Sequence, residues 1–491
     1  MNRARAISLI IVVTAATFGR AVGNDYVSWD DRDTIAENPR VKEPSYDNVA
    51  YYWSHSSGGL YAPVTYSYWA ALSWLARGVD PRVYHAASVV LHACAALLVF
   101  AVVRQLVASD AAACAGALLF AVHPVQVESV AWASGAKDLL AGLFSLAMID
   151  QFLRFTAKRQ AGGGGRAHYA TSLGVFVLAI LSKPSAVVAP VVALLLASSK
   201  HRATSRSLLV WVAPMMLLAG ACVLWSRAAQ AQYAPTDTPA WTRPLIALDA
   251  VAFYLWKLVW PIDLAIIYGR TPRAVIDSGA AYCTWLVPVA VGAVAFASRR
   301  RVPLLWTGFV TFVVALLPVL GFARFMFQIH STVADHYLYL PMLGVALAVA
   351  GVVSVRHGAP AWCVFATLVV GLSAVSVMQI GHWRDSEALY ARVLDLNPNS
   401  AFARAGLGRA YAESNRIREA IPQFEAAVRF APTSRTAHAS LAQAYLLDGR
   451  IDDAIKHARV ALSLAAPGDD TSWERSILER ATESTTRPAP P

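Results

Sequence analysis

Eleven apolar runs recur along this chain of 491 residues, and they constrain its fold more than any other feature. The first run ends at Phe18, and the others lie at about 83–104, 111–122, 138–153, 168–182, 184–198, 207–226, 281–297, 303–320, 337–355 and 361–378. Apolar residues make up 57% of the sequence and charged residues 15%, against about 45–50% and about 25% in soluble domains. Runs of this kind predict membrane-spanning helices. We therefore predict an α-helical, polytopic membrane protein with about eleven spans.

Positively charged residues indicate how these helices are oriented. Basic residues such as Arg154 and Arg299 fall in alternate loops, as expected if those loops are cytoplasmic. The pattern predicts a cytoplasmic N-terminus and accounts for the formal net charge of +11. Nucleic acid is not needed to explain that charge, because the chain lacks a basic stripe with interleaved aromatic residues. Asp249 and Lys257 interrupt the apolar stretch 243–262, where we predict an interfacial or re-entrant helix rather than a further span.

On this orientation, nine candidate site residues share the non-cytoplasmic side of the membrane. They are Asp30, Asp31, His123, Glu128, Lys137, Asp138, Lys183, Asp335 and His336. Ionisable residues at the ends of spans or in short turns are costly unless they face a water-filled cavity. The nine residues are therefore the candidates for a functional site.

Each candidate also has a structural interpretation. Asp30 and Asp31 lie in the polar stretch 24–48, where adjacent carboxylates could do acid and base chemistry, hold a divalent cation or remain solvated. His123 precedes Pro124, and the residue before proline is pushed out of the helical conformation, so His123 could simply end a helix.

Three further candidates leave similar alternatives open. Glu128 could be an interfacial charge that extends towards water. Lys183 could be a turn lysine at the surface or could bind an anionic lipid phosphate. The string HYLYLPMLG, which begins at His336, could be an aromatic belt at the start of a span.

After the last apolar run, the composition changes to that of a soluble helical repeat. Residues 401–432 carry Leu, Gly, Tyr, Ala, Phe and Pro at the offsets of a tetratricopeptide repeat, and the pattern returns thirty-four residues later. We therefore predict a multi-span membrane domain at 1–380, with a first external loop at 23–82. Tetratricopeptide repeats follow at 381–479, and a disordered tail follows at 480–491.

The order of five motifs resembles a known family. They are WDDRDTIAENPRV at 29–41, HPVQVESVAWASGAKDLLAGLF at 123–144, LSKPSAVVAP at 181–190, ADHYLYLPMLG at 334–344 and WRDSEALYARVLDLNP at 383–398. Together with the repeats, they resemble the transmembrane and tetratricopeptide-repeat proteins related to protein O-mannosyltransferases. The resemblance covers nearly the whole chain, in order.

The resemblance implies a glycosyltransferase of the GT-C class, which transfers a sugar from a polyprenyl-phosphate donor to an acceptor on the non-cytoplasmic side. By this resemblance Asp30 or Asp31 is the base, and Glu128 is the acid of the second loop, with His123 beside it. Lys183 matches a basic residue suited to the lipid phosphate. His336 stands where the family pattern has Arg, and a mostly neutral His is a weaker phosphate ligand.

The resemblance also implies partners for this chain. They are a polyprenyl-phosphate-linked sugar, membrane lipid, and a protein acceptor or partner at the repeats. A divalent cation is compatible with the acidic residues, but they are too scattered in sequence for a ligand count. Abundant Ala and Arg suggest a bacterial inner membrane, which would place the repeats in the periplasm.

A different class of function is a non-catalytic membrane scaffold, whose external repeats recruit a partner. The enzyme hypothesis expects Asp30, Asp31, Glu128 and Lys183 to converge on one cavity wide enough for a sugar. The scaffold hypothesis expects them to be scattered.

Overall fold

The computed structural model describes residues 1–200, 205–229, 238–322, 325–355, 358–466 and 468–486, and every regular element in these ranges is helical. The first ten helices are α1 (Arg3–Phe18), α2 (Pro39–Lys42), α3 (Tyr46–Ser54), α4 (Pro63–Ala76), α5 (Pro81–Leu106), α6 (Asp110–Val122), α7 (Val127–Ala131), α8 (Ala136–Gln160), α9 (Arg166–Ser182) and α10 (Ala189–Lys200). The next eight are α11 (Ser205–Ala229), α12 (Arg243–Val259), α13 (Pro272–Asp277), α14 (Ala281–Thr284), α15 (Leu286–Ala297), α16 (Pro303–Leu316), α17 (Met342–Val355) and α18 (Ala359–Ile380). The last six are α19 (Ser386–Leu396), α20 (Ala401–Glu413), α21 (Ile417–Phe430), α22 (Arg435–Leu447), α23 (Ile451–Ser463) and α24 (Ser472–Thr486). The predicted α-helical class is confirmed.

The chain forms two compact units. The first unit, called the membrane unit below, contains Met1–Tyr26 and Asp30–Arg384. The second, called the repeat unit, contains Val27–Trp29 and the chain from Asp385 onward. The sequence had suggested a change of domain after residue 380, and the tripeptide Val27–Trp29 was not expected in the repeat unit.

Helices occupy all eleven apolar runs of the membrane unit. Within the described residues, six helices are long and apolar enough to cross a membrane, or seven if the bent pair Asp110–Val122 and Pro124–Ala131 counts as one span. Four further apolar helices are shorter, at Arg166–Ser182, Pro184–Lys200, Pro303–Val319 and Met342–Val355. Large apolar side chains are exposed on the outer faces of α11, α15 and α18, including Val210, Leu217, Val289, Val294, Val364 and Val370. A multi-pass membrane protein exposes such side chains to lipid.

Helix α6 is the centre of the membrane unit, because every residue from Ala112 to Val122 is buried. It packs against α1, α5, α17 and α18. Small residues permit this close approach: a Cβ atom on Gly116 would overlap the carbonyl oxygen of Ala346 in α17. Gly308 in α16 and Gly344 in α17 are opposed in the same way, since a Cβ atom on either would overlap the carbonyl oxygen of the other.

Residues 23–82, called the N-terminal polar segment below, are more structured than the predicted loop. This segment contains α2, α3 and α4. With Tyr84 of α5 it forms a core rich in aromatic rings, whose buried members include Ile35, Val41, Tyr52, Tyr66, Trp69 and Leu72. The rings of Tyr52 and Tyr66 stack with centroids 4.0 Å apart. These aromatic residues follow neither a helical nor a strand period over a long stretch, so the sequence pattern did not reveal the core.

Helix α12 occupies the stretch predicted to be interfacial or re-entrant. Its interrupting charges are satisfied internally. Buried Asp249 pairs with Arg270 and accepts a hydrogen bond from Thr284, and Lys257 donates to the carbonyl oxygens of Ile262 and Asp263.

Paired helices of the repeat unit pack small residues against large ones, as the sequence predicts. A Cβ atom on Gly408 would lie 2.8 Å from the ring of Phe424, and one on Gly406 would overlap the ring of Tyr390. Helix α24 packs on α22 and α23 and continues to Thr486. Residues 480–486, which we predicted to be disordered, are therefore helical, and the remainder of that tail, 487–491, lies outside the described residues.

The tripeptide in the repeat unit is held through its backbone and one ring. Ser28 donates its N–H to the hydroxyl of Ser386 at 2.8 Å, and its carbonyl accepts from Tyr390 at 3.3 Å. The Trp29 ring meets Phe402 edge-on, with centroids 4.9 Å apart. The short segment before Asp30 is therefore fixed by the repeat unit.

The glycine crossing of α16 and α17 predicts a sharp loss of stability on substitution. Gly308→Ala should destabilise the protein by about 1–3 kcal/mol, because the added methyl group meets backbone rather than a movable side chain. Gly371→Ala in α18 is the matched control, since a Cβ atom there has no neighbour within 4 Å. Thermal unfolding in detergent measures the stability of both variants. Equal unfolding midpoints would contradict a close contact between α16 and α17 at Gly308.

A histidine pair predicts that the repeat unit weakens in acid. The Nδ1 atoms of His438 in α22 and His457 in α23 lie 2.9 Å apart, and burial, followed by the charge of His438, lowers the pKa of His457. The unfolded state therefore binds the proton more readily, so this contribution to stability is present above about pH 6.5 and is lost as the pH falls below it. Hydrogen exchange of α22 and α23 at pH 7.5 and 5.5 measures the loss. His457→Gln should reduce the pH dependence, and an unchanged dependence would exclude the pair as its source.

Candidate active site

Two adjacent residues at the start of α8 organise the candidate site. Lys137 and Asp138 are successive residues of a helix, so their side chains point about 100° apart. Lys137 forms an ion pair with Asp30, with Nζ 3.1 Å from Oδ2. Asp138 forms an ion pair with Lys183, with Oδ1 2.6 Å from Nζ. The first turn of α8 thus forms ion pairs with two segments that are distant in sequence.

The turn that leads into α8 is shaped by Gly135. A Cβ atom at this position would lie 2.6 Å from the carbonyl oxygen of Ser129. The close approach lets the chain turn sharply from α7 into α8. Asp138 then lies in the first turn of α8, where the helix dipole favours a negative charge.

The adjacent acids of the N-terminal polar segment have different environments. Asp31 is completely buried, and its Oδ1 accepts the backbone N–H of Ser134 at 2.8 Å. Thr34 strengthens the same connection through its hydroxyl, 2.8 Å from that of Ser134. The side chain of Asp30 is 39% exposed and faces Lys137. Asp31 therefore anchors the segment, whereas Asp30 remains accessible.

Lys183 owes its position to the proline that follows it. Helix α9 ends at Ser182, and Lys183 has extended backbone angles, with φ −156° and ψ 129°. The steric effect of Pro184 on the preceding residue accounts for this break. The ammonium group is directed to Asp138 and also lies 5.6 Å from the ring centre of Tyr337.

Glu128 and His336 form a second buried pair beside these ions. The backbone N–H of His336 donates to Oε2 of Glu128 at 3.1 Å, and the ring Nδ1 lies 2.8 Å from Oε1. Burial is the main cause that lowers the pKa of His336 to about 3. The ring is therefore neutral at physiological pH, and Glu128 holds the turn that carries it.

Electrostatic interactions join these pairs into one cluster. Burial lowers the pKa of Lys183, and the charge of Asp138 opposes that effect; Lys137 and Glu128 also act on it. Six candidates from four separate sequence motifs thus share one charged cluster, defined here as Asp30, Glu128, Lys137, Asp138, Lys183 and His336. Asp31 joins it through the backbone of Ser134.

The enclosed space beside the charged cluster is small. A cavity of about 30 Å³ is lined by residues that include Asp138, Ser145, Ser185, His336 and Tyr337. Pockets for small ligands are usually about 300–1,000 Å³. Six of the nine candidates lie together in the charged cluster, and the cavity beside them is too small for a sugar.

His123 makes its contacts apart from the charged cluster, whereas Asp335 interacts electrostatically with Glu128, a member of that cluster. His123 has extended backbone angles and its Nε2 lies 3.1 Å from the carbonyl oxygen of Leu258, so it ends α6 and contacts α12. Both carboxylate oxygens of Asp335 lie within hydrogen-bond distance of the Tyr268 hydroxyl, at 2.8 and 2.9 Å, so they share the one hydrogen that it donates. Burial raises the pKa of Asp335, and the neighbouring charge of Glu128 raises it further.

Several residues of the site were missed by sequence reasoning. The ammonium group of Lys137 lies 4.5 Å from the ring centre of Trp132. Tyr66 is near enough to Asp30 and Lys137 for both of their charges to affect the pKa of its hydroxyl. Tyr268 contacts Asp335, and Tyr337 contacts Lys183. Trp132 and Tyr337 are next to candidate residues within the motifs, but aromatic residues are common at membrane interfaces and gave no separate signal.

Two larger apolar grooves lie away from the charged cluster. One, of about 390 Å³, is lined by residues of α12, α15, α16 and α17, and the other, of about 440 Å³, is lined by residues of α12, α15 and α16. They contain no ionisable side chain, so they offer no acid or base chemistry. Among the described residues, no group of three His, Cys, Asp or Glu side chains could hold a metal ion.

Comparison with known proteins identifies similar chains. A model of the tetratricopeptide repeat family matches residues 373–435 and 406–470. A protein O-mannosyl-transferase of Caenorhabditis elegans is 22% identical over 455 residues, which cover 87% of this chain and 62% of the relative. Protein O-mannosyl-transferase TMTC4 of Homo sapiens is 24% identical over 480 residues, which cover 83% of this chain and 64% of the relative. The chain thus spans less than two thirds of the length of these relatives.

One solved structure also aligns with nearly the whole chain. ArnT from Cupriavidus metallidurans, determined with bound undecaprenyl phosphate, has a TM-score of 0.43 and 12% identity, and the alignment covers 99% of this chain and 91% of ArnT. The predicted resemblance is confirmed by the sequence relatives: this repeat-containing membrane chain is similar to proteins named protein O-mannosyl-transferase.

The different environments of the two acids predict different effects on stability. Asp31→Ala should destabilise the protein by about 1–3 kcal/mol, because the buried N–H of Ser134 loses its acceptor. Asp30→Ala should change stability much less, since its partly exposed ion pair is screened by solvent. Thermal unfolding of the two variants in detergent measures the difference. Equal destabilisation would contradict the anchoring role of Asp31.

Proposed function

We propose that this chain is a membrane glycosyltransferase of the GT-C class. It transfers a sugar from a polyprenyl-phosphate donor to a hydroxyl group of a protein or other acceptor on the non-cytoplasmic side. The observation that carries the proposal is the charged cluster, in which a partly exposed carboxylate and two largely buried lysines come together from separate motifs. The names of the sequence relatives agree with sugar transfer, and mannose is the sugar they suggest.

Asp30 is the base in this proposal. Its carboxylate is 39% exposed and within reach of an acceptor, whereas Asp31 is buried and already bound to a backbone N–H. Lys137 pairs with the Asp30 carboxylate and orients it. An ionised, accessible carboxylate is what general base catalysis requires.

The transfer step uses Asp30 at the acceptor and Lys183 at the phosphate of the donor. The acceptor oxygen attacks the anomeric carbon of the sugar and gives its proton to Asp30. The bond from that carbon to the phosphate oxygen breaks, and the phosphate leaves with the electron pair. Lys183 stabilises the charge that develops on the phosphate. Attack opposite the leaving group inverts the anomeric configuration.

His336 has a supporting part in this mechanism rather than that of a phosphate clamp. Its neutral ring and its backbone N–H both face Glu128. Glu128 thereby fixes the turn that also carries Tyr337, the ring beside Lys183. The pair positions the wall of the site and contributes no positive charge to it.

The alternating basic loops support a cytoplasmic N-terminus. With that orientation, the charged cluster and the repeats face the non-cytoplasmic side, which is the periplasm if the source is bacterial. The repeats would then meet the protein acceptor or a partner protein on that side.

Substitution of the proposed base should abolish transfer. Asp30→Asn should lower the rate by about 100-fold to 10,000-fold, because the acceptor proton has no base. The assay follows radiolabelled mannose from a polyprenyl-phosphate donor to protein in membranes that contain equal amounts of each variant. Asp33→Asn is the matched control, since Asp33 is a nearby exposed acid.

The outcomes separate the two classes of function. Label that is lost in Asp30→Asn and retained in Asp33→Asn supports the enzyme. Equal labelling in all three proteins would overturn the assignment of Asp30. Absence of labelling by the wild type would favour a scaffold that recruits partners through its repeats.

A further inference from the structure

Asp138 and Asp150 are buried carboxylates of the same helix, α8, but their surroundings differ. Asp150 uses both oxygens: Arg154 donates to Oδ2 at 2.7 Å and to Oδ1 at 3.1 Å, and Gln105 and Gln151 add further hydrogen bonds. Such a fully bonded carboxylate is a fixed part of the structure.

Asp138 is bonded through one oxygen only. Its Oδ1 contacts Lys183 at 2.6 Å, while its buried Oδ2 has no hydrogen-bond partner. Ser145, one of the other residues that line the small cavity, also has a buried hydroxyl without a partner. The carboxylate is therefore held almost entirely by the ammonium group of Lys183.

Lys183 requires an anion in this position. Its side chain is 13% exposed, and a buried ammonium group without a counter-ion is strongly unfavourable. The other nearby carboxylates are engaged, Asp30 with Lys137 and Glu128 with His336. In the absence of donor, Asp138 is thus the anion that neutralises Lys183.

We propose that Asp138 is an exchangeable counter-ion of Lys183, which the phosphate of the polyprenyl donor displaces. The inference rests on the proposed function, in which Lys183 meets that phosphate. A phosphate and the Asp138 carboxylate are both negative, so they compete for the one ammonium group. Asp138 therefore weakens phosphate binding and sets its affinity.

The exchange has a use in the reaction cycle. The donor carries a phosphodiester with one negative charge, whereas the product is a phosphate monoester with about −1.5 to −2 near pH 7. The product would be held more tightly by Lys183 than the donor. A returning Asp138 carboxylate competes for Lys183 and so promotes release of the product.

The test is the affinity for farnesyl phosphate, a short isoprenyl phosphate, measured by calorimetry on the purified full chain in detergent. Asp138→Asn should bind it at least about fivefold more tightly than the wild type, because the competing charge is gone. Asp138→Ser gives a second variant with the same expected direction if Asn reduces the folded yield. Farnesol, which lacks the phosphate, should bind all proteins equally.

Two controls isolate the exchange. Asp150→Asn removes a buried carboxylate from the same helix and should leave the affinity for farnesyl phosphate unchanged. In a Lys183→Met background, Asp138→Asn should give no gain, because the competition requires the ammonium group.

The outcomes distinguish this inference from the proposed function. Binding that is equal or weaker in both Asp138 variants, with normal binding by the wild type, would overturn the exchange and leave the enzyme proposal intact. Failure of the wild type and of both Asp138 variants to bind farnesyl phosphate would overturn both the exchange and the proposed function. In the transfer assay, Asp138→Asn should also show stronger inhibition by added polyprenyl phosphate.

Discussion

The burial of two lysines is the constraint on which the candidate site depends. An ammonium group that loses water must gain an anion, or the folded state is strongly disfavoured. Lys137 and Lys183 satisfy this requirement with Asp30 and Asp138. Each pair joins segments far apart in sequence. The interactions that neutralise the lysines therefore also bring together the N-terminal polar segment, the start of α8 and the break after α9.

Prolines and one glycine give the site its shape. Pro124 and Pro184 each follow a residue with extended backbone angles, so α6 and α9 end just before His123 and Lys183. Gly135 allows the close turn before Lys137. The ionisable residues therefore lie at interruptions of apolar helices, where their side chains can meet one another rather than lipid.

The sequence predicted much of this arrangement but not the roles within it. Convergence of Asp30, Glu128 and Lys183 was expected from topology and from the family resemblance, and the structure brings them into one charged cluster. Asp30 and Asp31 were equivalent in sequence, because adjacent acids carry no sign of which is buried. His123 matched a motif, yet it contacts the carbonyl oxygen of Leu258. Pairwise contacts of this kind depend on side-chain direction, which a linear pattern does not encode.

The sequence by itself determined the helical class, the apolar runs and the repeats, because these follow from local composition and period. Only the tertiary structure decided that Asp31 is an anchor and that Asp138 holds Lys183, and only it revealed the aromatic core of the N-terminal polar segment. The physical reason is that burial and ion pairing are properties of groups distant in sequence. Their partners are chosen by packing, after the local elements have formed.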